Sequence, residues 1–219
     1  MIAHPDDEAF GPSGTLAILA KTEDVHVICA TDGDSDPRFH PEGGKGLSEI
    51  REGELQSSAH ALGVKEVHFL HFKDGTLNNN SYHDLAKKIE ALVVRFSPSL
   101  LITTELRGVS GHLDHVAVAM ATSFVYRNHP EIDAIWYHCA RKEVSDAMQE
   151  YFVFFPPGFE RDEVDMVVDV SSVFTQKLAA AQCHTSQQGD VDRTVNRWMK
   201  LPKEEWFLVE KRRDTLTIG

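Results

Sequence analysis

Apolar positions along this chain fall into two alternating rhythms. Short β-branched or aromatic runs at 25–30 (VHVICA), 66–72 (EVHFLHF) and 99–104 (SLLITT) read as strands. Between and after them, residues 11–21, 48–62, 84–96 and 114–126 carry apolar side chains on one helical face. Ser13 is placed to cap the first of these helices, Gly63 to end the second, and Pro98 to stop the third. Strand and helix alternate from residue 25 to residue 126, with a strand end at residues 1–3. That order predicts an α/β fold: a mostly parallel sheet with helices on both faces. Ligands in such folds sit at the carboxyl ends of the strands. From about residue 134 the pattern is less regular. Strands are expected at 134–139, 151–155 and 165–170, and helices at 141–150, 172–183 and 190–199. The charged stretch 200–219 is expected to give a last helix or strand and a frayed end. With 219 residues, no repeat and no linker, a single domain is expected.

Composition narrows the functions this fold can serve. Thirty-four acidic residues against 22 basic ones give a net charge of −12. That disfavours a nucleic acid backbone or an anionic membrane surface as partner. No apolar run approaches the roughly 20 residues that span a bilayer, and no stretch reads as a signal peptide. The three cysteines, Cys29, Cys139 and Cys183, are odd in number and far apart. They read as free thiols in a reducing compartment, and a cytoplasmic location is expected.

The chemistry is concentrated at two places. Ala3-His4-Pro5-Asp6-Asp7-Glu8 puts an imidazole and three carboxylates on one corner, since Pro5 fits neither a central strand nor a helix interior. His4 and Asp7 suit one zinc ion, or the stretch is a solvated acidic turn capping the next helix. His112 and His115, three apart at the mouth of a helix, share a face. They either bond to backbone or join the first set. His4, Asp7 and His115 together would leave a fourth zinc position open, the pattern of a catalytic site.

With both motifs in view, the sequence resembles the PIG-L/LmbE family of zinc-dependent de-N-acetylases. The resemblance rests on residues 3–8 and on Gly111-His112-Leu113-Asp114-His115. Weaker matches are Thr31-Asp32-Gly33, Arg51-Glu52-Gly53-Glu54 with Ala61-Leu62-Gly63, Asp74-Gly75-Thr76-Leu77, and His184-Thr185-Ser186-Gln187. It implies a Rossmann-like three-layer sandwich and hydrolysis of an N-acetyl group from a small glucosamine-containing substrate. It implies His4, Asp7 and His115 as ligands of zinc, with iron(II) as the alternative in the cell. Asp6 is then the general base, His112 the acid or oxyanion stabiliser, and Asp114 the residue that tunes it, provided the segment around Asp114 is still a turn. Arg51 is either a surface helix arginine or a clamp on substrate, and Asp74 an acceptor for sugar hydroxyls. Thiol-cofactor precursors, antibiotic intermediates, chitooligosaccharides and inositol conjugates all fit as substrates, and homo-oligomerisation stays open.

Other readings are weaker. Asp32-Gly33-Asp34-Ser35-Asp36 begins like a calcium loop, but Pro37 stands where its glycine belongs. There is no P-loop and no dinucleotide glycine fingerprint. A metal-dependent phosphoesterase and a non-catalytic metal- or sugar-binding protein remain as alternatives. The glycine-rich loop 33–46 is placed to act as a lid. His184 belongs to a structural hydrogen-bonding cluster, and His26, His60, His68, His71, His83, His129 and His138 read as core or surface residues.

Overall fold

Period-two alternation along the strands sorts the side chains to two helical layers. The computed structural model describes residues 1–35, 46–150 and 152–212. After the opening turn come the short helices α1 (Asp7–Phe10) and α2 (Ser13–Leu19), then strand β1 (His26–Thr31). Helix α3 (Leu47–Leu62), β2 (Glu66–Phe72), α4 (Tyr82–Phe96) and β3 (Leu100–Thr104) follow. A single turn, α5 (Gly108–Gly111), leads into the long α6 (Leu113–Asn128). On β1, Val27 and Cys29 point into a core shared with Leu16, Leu55, Leu62 and Ala180. Ile28 and Ala30 point the other way, towards Leu85, Ile89, Val118 and Val125. One layer therefore holds α4 and α6, and the opposite layer α2, α3 and the later helix Phe174–Gln182.

The helices end where the sequence says they should. Gly63 closes α3 in the left-handed region at φ +79°, donating to the carbonyls of Ala59 and His60. The expectation that Ser13 caps a helix over 11–21 is corrected. Ser13 is the first residue of α2, and its hydroxyl donates to Ala9 O at 2.7 Å. The cap comes from far away in sequence: the Glu205 carboxylate accepts the backbone N–H groups of Gly14 and Thr15, both at 2.8 Å. A carboxylate at a helix N-terminus satisfies two orphan donors and faces the positive end of the dipole. Lys177 Nζ, also buried, completes the arrangement at 2.6 Å from Glu205.

The second part contains β4 (Ala134–Cys139), α7 (Lys142–Asp146), β5 (Met166–Asp169), α8 (Phe174–Gln182), α9 (Gln188–Trp198) and β6 (Glu204–Lys211). β1 pairs with β2 in parallel, Ile2 adds a parallel bridge to Cys29, and β3 pairs with β4 in parallel. β6 lies between β4 and β5 and is antiparallel to both. In place of one mostly parallel sheet, β1 and β2 form a two-stranded parallel sheet, and β3, β4, β6 and β5 a four-stranded mixed one. Two helices, α8 and α9, separate β5 from β6, so the chain re-enters the sheet at the end it had left. The expected strand at 151–155 is also corrected: residues 152–155 form none, and residue 151 lies outside the described residues. The stretch is aromatic but runs into Pro156 and Pro157, which cannot donate to a ladder. The expected lid at 33–46 falls mostly outside the described residues, as does the tail beyond residue 212. Among the described residues, no helix is long and apolar enough to cross a membrane.

Candidate active site

The first turn is bent by force of its own hydrogen bonds. Asp7 Oδ2 accepts from the backbone N–H of Ala3 at 3.0 Å and of His4 at 2.8 Å, folding its carboxylate back beneath the His4 ring. Asp6 is held at φ 144°, a conformation rare for a residue with a side chain. Five hydrogen bonds over-determine it. Its N–H donates to Glu8 Oε2 at 3.1 Å, its carbonyl accepts from Ala9 and Phe10, and Arg51 donates to both Pro5 O and Asp6 Oδ2. Arg51 is buried, so the surface reading of this arginine is excluded. Its other terminal nitrogen donates to Gly33 O at 2.9 Å. Glu8 is fully buried and accepts from Ser58 Oγ at 2.5 Å and pairs with His184 Nε2 at 2.7 Å. Glu54 similarly accepts from Thr185 and Ser186. His184 thus sits in a hydrogen-bonding cluster.

The second motif arrives from the opposite layer. Gly108, at φ +75°, allows the turn after β3, where an added Cβ would lie 2.9 Å from His115 Cβ. Val109 follows at φ 62°, an outlier for a β-branched residue, and Glu105 Oε1 accepts its N–H at 3.1 Å. His112 is the N-cap of α6, and its Nδ1 accepts the Asp114 N–H at 3.2 Å. The Asp114 carboxylate turns away from His112. It accepts from Gly75 N–H at 2.7 Å and Leu77 N–H at 2.9 Å, and meets His4 Nε2 at 3.2 Å. The Asp74-Gly75-Thr76-Leu77 turn therefore clamps Asp114, while Asp74 Oδ1 lies 3.1 Å from the same His4 nitrogen.

These segments bring three donors to one point. His4 Nδ1 and His115 Nε2 are 3.1 Å apart, His115 Nε2 is 3.2 Å from Asp7 Oδ1, and His4 Nδ1 is 3.6 Å from Asp7 Oδ2. The tautomers follow from the outer partners. His115 Nδ1 faces Gly108 O at 3.0 Å, so its proton sits there. His4 Nε2 faces Asp114 and Asp74, so its proton sits there too. His4 Nδ1 and His115 Nε2 then face each other beside a carboxylate, a geometry that is satisfied by a shared proton or by a cation held between them. A histidine whose second N–H is held by a carboxylate or carbonyl is the usual outer arrangement of a metal ligand. The donor set fits zinc or iron(II). His112 flanks the trio, its ring 4.6 Å from that of His4 and 5.3 Å from that of His115. His4, His112 and His115 could also converge on an ion. Asp7 makes the better third donor, because His112 Nδ1 is already committed to the Asp114 N–H.

The local charges respond to this crowding. Burial works against it, yet the carboxylates of Asp114, Asp7 and Asp74 hold His4 well above the usual imidazole range. Burial likewise pushes Asp7 up, but His115 and His4 keep it ionised well below the ordinary carboxylate value. Asp6 goes the other way: burial, only partly offset by Arg51, raises it to about 6. His112 is lowered by burial and by its two imidazole neighbours. A cavity of about 1060 Å³ opens over Asp6, Asp7, Asp74, His112 and His115 and reaches past them to Val27 and Leu101 on β1 and β3.

The expected residues His4, Asp6, Asp7, Asp74, His112, Asp114 and His115 are all brought together. Glu8, Ser58 and the Gly75 and Leu77 amides escaped the sequence reading as parts of the site. Glu8 lies inside the first motif, yet nothing in a linear sequence gives it Ser58 and His184 as partners.

Comparison with known proteins agrees with this geometry. Residues 1–126, more than half the chain, match the family described as PIG-L, GlcNAc-PI de-N-acetylase, and the chain belongs to that family. A probable N-acetyl-alpha-D-glucosaminyl L-malate deacetylase 2 of Bacillus cereus is 31% identical over 193 residues, covering 84% of this chain and 80% of the relative. Among solved structures, N,N'-diacetylchitobiose deacetylase from Pyrococcus horikoshii aligns with a TM-score of 0.68 at 20% identity, over 99% of this chain and 85% of that one. GalB, a 4-carboxy-2-hydroxymuconate hydratase from Pseudomonas putida KT2440, aligns at 0.73 with 15% identity, over 100% and 98%. At such identities these two structures speak for the fold.

Proposed function

We propose that the protein is a metal-dependent hydrolase that removes the N-acetyl group from a small glucosamine-containing substrate. His4, Asp7 and His115 hold one divalent ion, zinc or iron(II). When bound, such an ion polarises the amide carbonyl and makes water a better nucleophile at neutral pH. Asp6, fixed by Arg51 and by the Glu8 contact to its backbone, takes the proton from the attacking water. His112 stands on the other side of the trio, positioned to donate a hydrogen bond to the oxygen where negative charge develops. Asp114 and Asp74 keep the His4 ring in the tautomer that leaves Nδ1 free to ligate. The C–N bond breaks, the amine leaves with a proton returned from Asp6 or His112, and acetate departs. Arg51 acts on substrate only through Asp6 in this scheme, while the second carboxylate oxygen of Asp74 is left to accept from a sugar hydroxyl. The three free thiols accord with a cytoplasmic enzyme.

The observation that carries this reading is the meeting of His4, Asp7 and His115 at 3.1 to 3.6 Å beside an Asp6 that points to a different partner. Acetate release from N-acetylglucosaminyl malate, diacetylchitobiose and an N-acetylglucosaminyl inositol tests it. Asp6→Asn should lower kcat by about 10²- to 10⁴-fold with bound metal unchanged. Near-normal turnover in that variant would remove Asp6 from its role. No acetate release from any of the three amides would overturn the reading.

A further inference from the structure

A second group of donors lies at the far end of the same strands. His26 opens β1, and its register partner on β2 is Glu66, with His68 two residues on. All three side chains project from the same face of the ladder, because successive partners two apart share a face. His26 Nδ1 and His68 Nε2 are 3.1 Å apart. Glu66 Oε2 is 3.9 Å from the first and 3.6 Å from the second. Those last distances are too long for hydrogen bonds. Donors that share one tetrahedral ion at about 2.0–2.1 Å stand roughly 3.3–3.4 Å from each other, and the three observed separations bracket that spacing.

The surroundings are also built. The Phe96 ring stacks on His26 at 4.3 Å between centroids and leans on His68 at 5.0 Å, so both imidazoles are held on one side by α4. Both are largely buried, and Glu66 is half exposed. Asp24 lies close enough to His26 to feel its charge, and it is tied to Lys65 at the strand entrance. Arg95, stacked over Phe96, is the nearby opposing charge.

We propose that His26, Glu66 and His68 form a second site for a transition-metal ion of the zinc, nickel, cobalt or copper class, separate from the ion held by His4, Asp7 and His115. Five residue steps along β1, about 16 Å, separate it from the catalytic end of the sheet. Two imidazoles and one carboxylate suit borderline ions and discriminate against magnesium and calcium. An ion there would add a further clip between β1 and β2 at the end where Lys65 already donates to Val25 O and pairs with Asp24. The inference stands on these three residues alone and is independent of the deacetylase reading.

The test is a count of ions on the whole chain. Equilibrated with zinc or cobalt and desalted, the protein should retain two ions per chain, and His26→Ala/His68→Ala should retain one. His115→Ala, which spoils the other site, should keep the ion at His26 and His68. The conservative Glu66→Gln should weaken the second ion by about 10- to 100-fold while its metal-free melting temperature stays that of the parent. Magnesium should not compete. Equal ion counts and equal affinities in the parent and the double variant would overturn the proposal. So would an ion at this site that appears only at millimolar zinc.

Discussion

Arg51 shows how closely the His4–Glu8 turn depends on single side chains. Its guanidinium bridges Pro5 O, Asp6 Oδ2 and Gly33 O, and an added Cβ at Gly33 would lie 2.8 to 2.9 Å from that group. Gly33 is also at φ +64°, where side chains are strained. Gly33→Ala should therefore displace Arg51 and loosen Asp6. We expect kcat to fall by about 10²-fold, the scale of a small misplacement of a reacting group, with KM much less affected. Steady-state kinetics on one acetylated glycoside checks this; a change confined to KM would mean that Arg51 acts on substrate binding instead. At this scale the meeting of His4, Asp7 and His115 was readable from donor chemistry, since residues of these types can share an ion. The role of Arg51 was not, because two of its three partners are backbone carbonyls, which have no sequence signature.

Elements up to residue 126 were legible because each carries one clear period. β2 at Glu66–Phe72 and the stop of α3 at Gly63 follow from the pattern as read. Beyond β4 the pattern still gives β5, α8 and α9, but it misleads at 152–155. Residues 152–155 look like a strand by composition but have no neighbour to pair with, and pairing is not a local property. The same holds for β6, whose antiparallel place between β4 and β5 depends on two intervening helices. The start of α2 is a third case, since its cap, Glu205, is 191 residues from Gly14. Lys177 neutralises that carboxylate and also donates to Gly11 O at 2.9 Å. Lys177→Met would leave Glu205 buried with its countercharge gone, and should cost about 3–5 kcal/mol in a urea melt. Adding Glu205→Gln should recover a measurable part of that loss. If the two changes were simply additive, the pair would not be coupled as the geometry requires.

For the whole molecule, acid and chelators are the informative perturbations. Burial pushes His138, packed edge-on against Phe207, down to about 4 from an ordinary value of 6.5. The unfolded chain then binds a proton there that the folded chain does not, between about pH 6.5 and 4. His138 contributes stability that is fully present above pH 6.5 and is lost as pH falls through that window. Melting temperatures of the parent should drop across it more steeply than those of His138→Phe; parallel curves would mean that His138 does not titrate as placed. Chelation should lower the melting temperature, and added zinc should restore it. An ion at 100 times its dissociation constant contributes about 2.7 kcal/mol. A melt indifferent to chelator would mean that His4, Asp7 and His115 hold no ion in the folded protein.

The Glu205 cap has a consequence for how the protein is made. Because α2, which follows the His4–Glu8 turn, takes its terminal acceptor from β6, a ribosome must release β6 before that helix is secured. Until then the segment that carries His4, Asp6 and Asp7 waits for a partner made 191 residues after Gly14.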